Sequence, residues 1–312
     1  MSSSGLVALV LLSSSGCRWR RDHADSPGDR SGNVLRDDPA YCLGPADVAG
    51  PLVRFAVIGD FGTAGPNEAS VAALVTRWNP DFVITLGDNN YPSGAAETID
   101  ENIGQYFHGF IAPYVGRFGA GASENRFFPS LGNHDWLAPG AEPYRAYFTL
   151  PGNERYYDFV RGNVHLFALD SDPSEPDGVG VDSAQARWLK AGLATAPERW
   201  RVVYMHHPPY SSGPHGSTAY MQWPFRRWGA TFVLSGHDHD YERVESDGTT
   251  FIVCGLGGAP TYQFGPALPG TRARLEGGFG AGLVEVGAAH MRFRFRTVDG
   301  ALIDQACLSA EP

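Results

Sequence analysis

This sequence lacks several features that would place it at once in a known class of protein. It has four cysteines among 312 residues and no Cys-x-x-Cys pair, which argues against a cysteine-based zinc site and a thioredoxin-like motif. No run reaches the roughly 18 consecutive apolar residues of a membrane-spanning helix. Basic residues number 24 against 34 acidic ones, and this net charge of −10 argues against a broad nucleic-acid interface. The His-Glu-x-x-His motif of many metallopeptidases is also missing.

The residues that are present indicate a folded chain with functional loops. Hydrophobic residues make up 43% of the sequence, enough for a sizeable core, so wholesale disorder is excluded. The 39 glycines and 23 prolines favour a compact scaffold with loop-built sites over a helical bundle. The length allows one large domain or two ordinary ones.

The first 17 residues have the character of a targeting segment. A short apolar run over 5–12 is followed by small residues and then by Cys17, the order found in export signals. A cysteine after a small residue also resembles the acceptor of a lipoprotein signal. We therefore expect 1–17 to be an export signal or a lipoprotein signal. The protein would then be periplasmic, secreted or lipoprotein-anchored, and only an N-terminal lipid would bring it to a membrane.

The following segment, 18–50, is rich in Arg, Asp, Gly, Pro and Ser, which predicts a flexible polar lead-in to one folded domain over 51–312. Cys42 and Cys307 bracket that domain, and export would permit a disulfide between them, although the sequence leaves their pairing open. Cys254 ends an apolar run and is expected to be a buried free thiol.

Five short apolar runs end in a similar way, with polar side chains that suit metal binding. The runs are 53–58, 82–86, 127–131, 202–205 and 231–234, and the segments after them are GDFG (59–62), GDNNY (87–91), GNHD (132–135), HHPP (206–209) and SGHDH (235–239). Apolar runs of this length predict buried strands. Amphipathic patterns predict helices between them, over 67–78 with Asn67 as N-cap and over 182–194. This alternation predicts an α/β fold with its site at the carboxyl ends of the strands.

The last part of the chain has a different pattern. Residues 290–298 alternate between apolar side chains and arginine, which predicts a half-exposed antiparallel strand with its arginines on a solvated face. Residues 255–282 are rich in Gly and Pro and are expected to be loops. Asp170 ends another apolar run, and we expect it to be structural.

Seven side chains in or near these segments form a candidate set of metal ligands: Asp60, Asp88, Tyr91, Asn133, His206, His237 and His239. All seven offer oxygen or imidazole nitrogen, which suits Fe, Zn or Mn. A carboxylate can bridge two ions, and two ions roughly 3.5–4 Å apart can hold a phosphate for in-line displacement. Each residue alone is weak evidence, but their order after successive apolar runs indicates a site.

The ordered motifs resemble the calcineurin-like metallophosphoesterases. They are GDFG (59–62), GDNNY (87–91), GNHD (132–135), His206 and GHDHDYER (236–243), and Tyr91, three residues after Asp88, is similar to the purple acid phosphatase branch. The resemblance covers about 52–260. It implies a four-layer α/β/β/α sandwich of two mixed sheets, with a dinuclear metal site at the strand carboxyl ends.

The resemblance also implies how the seven ligands divide. One ion takes Asp60, Asp88, Tyr91 and His239, and the other takes Asp88, Asn133, His206 and His237, with Asp88 as the bridge. A phenolate stabilises Fe(III), so iron is expected at the Tyr91 position and should colour the protein. The second ion is expected to be Fe(II), Zn or Mn.

The activity implied is acid phosphatase-like hydrolysis of phosphate monoesters by a metal-activated hydroxide. His134 would stabilise the transition state, Asp135 would orient His134, and His215 would be the general acid. The expected partner is a small phosphorylated substrate, with no nucleic acid bound, and the oligomeric state is left open. The alternative is a phosphodiesterase or nucleotide pyrophosphatase on the same site. A non-catalytic surface binding protein is a third interpretation, which the complete ligand set disfavours.

Overall fold

The computed structural model describes residues 42–44, 47, 50 and 52–309. The predicted signal over 1–17 and the first part of the lead-in lie outside the described residues. The strands are β1 (Val53–Ile58), β2 (Phe82–Thr85), β3 (Phe127–Pro129), β4 (Tyr157–Arg161), β5 (Val164–Ala168), β6 (Trp200–Tyr204), β7 (Phe232–Ser235), β8 (Tyr241–Ser246), β9 (Thr249–Cys254), β10 (Thr271–Leu275), β11 (Gly280–Val286), β12 (His290–Thr297) and β13 (Leu302–Ser309).

The described helices are short, with two exceptions that pack on the sheets. They are α1 (Pro66–Trp78), α2 (Ala96–Ile99), α3 (Gln105–Phe107), α4 (Asn133–Trp136), α5 (Glu142–Tyr147), α6 (Ala184–Thr195) and α7 (Phe225–Trp228). Single turns of π- or 3₁₀-helix cover Asp100–Gly104, His108–Phe110, Pro139–Ala141 and Ala219–Met221. No helix among the described residues is long and apolar enough to cross a membrane.

The strands form two mixed sheets. The first has the order β13-β12-β11-β1-β2-β3, in which β1, β2 and β3 are parallel and the remaining neighbours are antiparallel. The second has the order β10-β8-β9-β7-β6-β5-β4, with a parallel centre made of β5, β6, β7 and β9. The prediction of an α/β fold with two mixed sheets and flanking helices is confirmed.

Aromatic side chains fill the space between the two sheets. Phe232 of the second sheet lies 5.7 Å from Phe293 of the first, between ring centroids, and Phe128 stacks on Phe159 at 3.9 Å. On the other face of the second sheet, α6 buries Leu189 together with neighbouring apolar residues of β5 and β6. The apolar residues of the predicted strands therefore face a common core or a covering helix.

The region 255–282 differs from the prediction, because it contains β10 and the start of β11 as well as loops. The β11 strand lies in the middle of the first sheet, between β1 and β12. A Cβ at Gly282 would come within 2.6 Å of the Phe293 ring, and one at Gly280 within 2.8 Å of the Phe295 ring. These glycines make room for cross-strand aromatic rings, so they do not mark turns.

Helix α1 begins one residue earlier than predicted. Its N-cap is Gly65 and Pro66 is its first residue, so Asn67 is not the cap. Oε2 of the Glu68 carboxyl group instead accepts hydrogen bonds of 2.8 Å from the backbone N–H groups of Thr63 and Ala64. This glutamate therefore holds the loop that leads from β1 into the helix.

A disulfide joins Cys42 to Cys307 of β13, with 5.5 Å between their Cα atoms, and Cys254 is buried and free as expected. Asp47 is also buried, and its carboxylate accepts hydrogen bonds from the backbone N–H groups of Ala289 and His290. Two described residues of the predicted lead-in are thus attached to the first sheet. A disulfide of this kind is typical of extracellular proteins.

Candidate metal centre

The candidate ligands follow parallel strands that end at one side of the two sheets. Asp60 follows β1, Asp88 follows β2, Asn133 opens α4 after β3, and His206 and His237 follow β6 and β7. Three of them adopt a left-handed backbone, with φ of 56° at Asp60, 51° at Asp88 and 72° at His237. This conformation is uncommon for residues other than glycine and concentrates at functional sites.

Glycines beside these residues let the loops approach one another closely. A Cβ at Gly87 would lie 2.6 Å from the Cβ of His206, and one at Gly236 would lie 2.5 Å from Oδ2 of Asp60. Close packing therefore explains why a glycine precedes both Asp88 and His237 in the sequence. Side chains from different strands meet only because these positions carry no Cβ.

Three side chains converge on the phenol of Tyr91 and form a group of four with it. Its hydroxyl lies 3.0 Å from Oδ2 of Asp88, 3.1 Å from Nε2 of His239 and 3.3 Å from Oδ1 of Asp60. Nε2 of His239 lies 3.4 Å from Oδ1 of Asp60. Asp60, Asp88 and His239 offer ligand atoms within 4.8 Å of one another, a cluster that could hold a metal ion.

A second group shares Asp88 with the first. Nε2 of His206 lies 2.9 Å from Oδ1 of Asn133, 3.1 Å from Nδ1 of His237 and 3.4 Å from Oδ2 of Asp88. The Asp88 carboxylate therefore contacts both groups. All seven predicted ligands therefore lie in these two groups, which have Asp88 in common.

Backbone carbonyls fix two of the imidazoles. Nδ1 of His206 lies 2.8 Å from the carbonyl oxygen of Leu86, and Nδ1 of His239 lies 2.6 Å from that of Pro260. Because a carbonyl can only accept, each Nδ1 carries a proton and each Nε2 faces the cluster. This is the tautomer that a metal-binding histidine uses.

The electrostatics of the cluster favour a bound cation. Burial raises the pKa of the Asp60 carboxyl. Burial and the charges of Asp60 and Asp88 raise the pKa of the Tyr91 phenol well above its ordinary value. Burial acts against a charged His206, but the Asp88 carboxylate raises its pKa to about 10. Buried oxygen donors with imidazoles are a set that suits Fe, Zn or Mn, so the residues fit a metal centre.

His134 lies at the open side of this cluster. Its backbone N–H donates to Oδ1 of Asp88 at 2.8 Å, and its Nε2 lies 3.9 Å from Oδ2 of the same carboxylate. The imidazole tilts against the Tyr91 ring with 4.5 Å between centroids, and its side chain is 32% exposed. Its Nδ1 lies 2.6 Å from the carbonyl oxygen of Pro92, which fixes the ring.

Asp135 has a different partner from the one predicted. Its buried carboxylate accepts hydrogen bonds of 2.9 Å from the Gly132 N–H and from the side-chain amide of Asn89, and the Pro92 carbonyl orients His134 instead. Burial and the nearby Asp88 charge raise the pKa of Asp135 to about 6. Asp135 therefore ties two ligand-bearing loops together.

His215 reaches the site from an exposed loop. Its ring lies 4.3 Å from the His237 ring, between centroids, and 5.4 Å from the ring of Tyr262. Asp170, which we expected to be structural, is buried and accepts a hydrogen bond from the Trp136 indole. It takes no part in the cluster.

Sequence reasoning missed two residues at the edge of the site. His207 was given no role, yet its ring lies 4.5 Å from that of His237, and burial lowers its pKa to about 3. Tyr262 stacks on His239 at 4.2 Å, with 8° between the ring planes. The His-His pair at 206–207 was a usable signal for the first, but Tyr262 lies in a loop with no motif around it.

Comparisons with known proteins agree with this geometry. The family model of the calcineurin-like phosphoesterases matches residues 53–241. The chain is 26% identical to tartrate-resistant acid phosphatase type 5 of Rattus norvegicus, over 88% of this chain and 94% of that protein. It is 27% identical to purple acid phosphatase 17 of Arabidopsis thaliana, over 66% of this chain and 68% of the relative.

Two solved structures share the fold at low identity. Purple acid phosphatase PPD1 from yellow lupin has a TM-score of 0.67 and 17% identity, over 83% of this chain and 54% of that one. GAP50, described as the anchor in the inner membrane complex of Plasmodium, also has a TM-score of 0.67 and 17% identity, over 84% and 90%. The chain therefore belongs to the calcineurin-like phosphoesterases and is a phosphatase with purple acid phosphatases among its relatives.

Proposed function

We propose that the protein hydrolyses phosphate monoesters in the manner of a purple acid phosphatase. The observation that carries this proposal is the Tyr91 phenol, which lies within 3.3 Å of two buried carboxylates and an imidazole. The names of its relatives, which are acid phosphatases, support the same activity.

Two metal ions would be held by the two groups of side chains that share Asp88. Tyr91 favours Fe(III) in its group, and the other group would take Fe(II), Zn or Mn. When bound, the ions supply positive charge for the substrate phosphate and lower the pKa of water for attack on phosphorus. The remaining steps belong to residues around the cluster.

His134 is proposed to bind the phosphoryl group. Because its Nδ1 donates to the Pro92 carbonyl, only Nε2 of the ring is available to substrate. That nitrogen lies 3.9 Å from Oδ2 of Asp88, at the open side of the cluster. A protonated Nε2 can therefore donate to a phosphoryl oxygen and stabilise charge as it develops.

His215 is proposed to protonate the leaving group. As the bond from phosphorus to the ester oxygen breaks, this imidazole gives its proton to that oxygen, so that an alcohol leaves. Its position on an exposed loop beside His237 leaves room for an alkyl or aryl group.

Metal analysis and a visible spectrum of the purified protein test the metal assignment. We expect two metal ions per chain, at least one of them iron, and a broad band in the middle of the visible range. Tyr91→Phe should lose the band. Tyr262→Phe is the matched control, because that ring also contacts His239, and it should keep the band. A colourless wild-type protein with zinc or manganese would contradict the iron–tyrosinate assignment.

A substrate panel tests the reaction. We expect the highest kcat/KM on phosphate monoesters, with a lower value on diesters and nucleotide pyrophosphates of the same leaving group. A reversed order would support the phosphodiesterase or pyrophosphatase alternative. A metal-loaded protein that hydrolyses neither class would support a non-catalytic binding role.

Export is also proposed, on the basis of the disulfide between Cys42 and Cys307. Because such a bond persists in oxidising compartments, cell fractionation should find the protein outside the cytoplasm. A cytoplasmic protein with both thiols reduced would contradict this.

A further inference from the structure

Asp238 lies between two proposed ligands but turns its side chain away from them. The chain bends at 237–240, with a left-handed backbone at His237, so that His237 and His239 face the cluster while Asp238 faces another loop. Its buried carboxylate accepts two hydrogen bonds from that loop, one of 3.0 Å from the His215 N–H and one of 2.5 Å from the Ser211 hydroxyl. A buried carboxylate with such donors is a strong local anchor.

A second buried carboxylate fixes the neighbouring residue of the same loop. Glu242, on β8, accepts hydrogen bonds of 2.7 Å from the Ser212 N–H and 2.9 Å from the Ser212 hydroxyl. It also accepts a bond of 2.7 Å from the hydroxyl of Thr271 on β10. Two acidic residues, four positions apart, therefore bind two consecutive serines.

The loop over 211–217 packs so closely against Asp238 that a residue larger than glycine would not fit at position 213. A Cβ at Gly213 would lie 2.4 Å from Cγ of Asp238. The N–H of Gly213 donates to the Ser211 hydroxyl at 3.0 Å, and its carbonyl accepts from the Gly216 N–H at 3.1 Å. The backbone of 211–217 is thus defined by short contacts on both sides of His215.

The imidazole of His215 has no such anchor of its own. Its contacts among the described residues are with the rings of His237 and Tyr262, while its hydrogen bond to Asp238 comes from the backbone. The position of the ring therefore depends on where the backbone is held. A shift of about 1 Å in a group that transfers a proton is enough to slow a reaction strongly.

We propose that Asp238 is a positioning residue that holds His215 at the candidate metal centre. The inference rests on the proposed function, in which His215 protonates the leaving group. A single His-Asp-His segment would then both hold the metals, through its histidines, and place the general acid, through its aspartate. Glu242 assists by fixing Ser212.

The test compares two phosphate monoesters that differ in their need for an acid. Asp238→Asn should lower kcat on an alkyl phosphate about tenfold and leave kcat on p-nitrophenyl phosphate within about twofold, because the nitrophenolate leaves without a proton. In a His215→Ala background, Asp238→Asn should cause no further loss on the alkyl phosphate, since both changes act through one group. Metal content should equal that of the wild type.

Asp240→Asn is the matched control. Asp240 is a buried acid on the other side of His239, and no hydrogen-bond partner of its carboxylate is found among the described residues. We expect this change to affect the two esters equally, so their ratio stays at the wild-type value. Equal losses on both esters in Asp238→Asn, or losses that add to those of His215→Ala, would overturn the proposal.

One further measurement separates this inference from the proposed function. Hydrogen exchange over 211–217 should be faster in Asp238→Asn and unchanged in Asp240→Asn, whatever reaction the protein catalyses. Unchanged exchange in Asp238→Asn would refute the anchor even if the protein is a phosphatase. If Asp238→Asn fails to fold, Ser211→Ala removes the two hydrogen bonds of the Ser211 hydroxyl, to Asp238 and from Gly213, without altering 236–243. It should lower kcat on the alkyl phosphate about threefold relative to p-nitrophenyl phosphate.

Discussion

Two regions of the molecule bury carboxylates and neutralise them in different ways. On the first sheet, one oxygen of Glu285 lies 2.6 Å from Arg292 and 2.7 Å from Arg294, and the other lies 3.7 Å from Arg54. At the strand ends, the ion pairs found for Asp60 and Asp88 are with imidazoles. The first carboxylate is already neutralised by arginine. The carboxylates of Asp60 and Asp88 are instead arranged as they would be in a cation-binding site.

This comparison also corrects the interpretation of the arginines of β12. They were expected to form a solvated face, but they are partly buried and two of them bind Glu285. Their alternation with Phe293 and Phe295 places them on the side of the sheet away from the core. Together with Glu285 and Arg54, they form a charged cluster across β1, β11 and β12, here called the arginine ladder.

The largest expected effect comes from breaking the strand-end group. Asp88→Ala removes the carboxylate shared by both groups, so we expect metal content to fall and kcat to drop at least about 10³-fold. Metal analysis and steady-state kinetics measure the two effects. Full activity in this variant would contradict the dinuclear interpretation.

A smaller effect is expected from breaking the arginine ladder. Glu285→Ala leaves three crowded guanidiniums without their carboxylate, which should lower the free energy of unfolding by about 1–3 kcal/mol. Urea unfolding measures this, and kcat should stay near the wild-type value. Arg296→Ala is the control, because that side chain bonds the Gly300 carbonyl and not Glu285. A loss of activity in Glu285→Ala without a loss of stability would break the comparison.

A third buried acidic residue, Glu68, differs from both regions because its carboxyl group is protonated in the fold. Burial raises the pKa of Glu68 to about 9, and its Oε1 has no hydrogen-bond partner among the described residues. Since the folded pKa lies above the unfolded one near 4.5, stability should fall as the pH rises from about 4.5 to 9. Glu68→Gln should flatten this slope and be more stable than the wild type at pH 8. Parallel slopes for the two proteins would show that Glu68 is not protonated in the fold.

Local signals explain why much of the fold and the ligand set could be predicted. Each run before a ligand is short, apolar and bounded by glycine, so strand β1 was predicted with its observed bounds and β2 to within one residue. The ligands follow those strands directly. Because parallel strands end at one side of a sheet, their convergence at the strand ends could be expected without knowing the loops.

The parts that could not be predicted depend on partners far away in sequence. Asp135 was assigned to its neighbour His134, but it binds Asn89, 46 positions away. Asp238 binds Ser211 across 27 positions, and Gly282 faces a ring from the next strand. Composition and periodicity report on a residue's own segment, so these contacts leave no trace in them.

The disulfide has a consequence that follows from the strand register. Cys307 is paired across the sheet with Arg292, which is paired with Glu285, which is paired with Arg54 at the start of β1. The candidate metal centre lies past the other end of β1, about 20 Å from Arg54. Reduction of the disulfide should therefore leave the side-chain arrangement of the candidate metal centre unchanged.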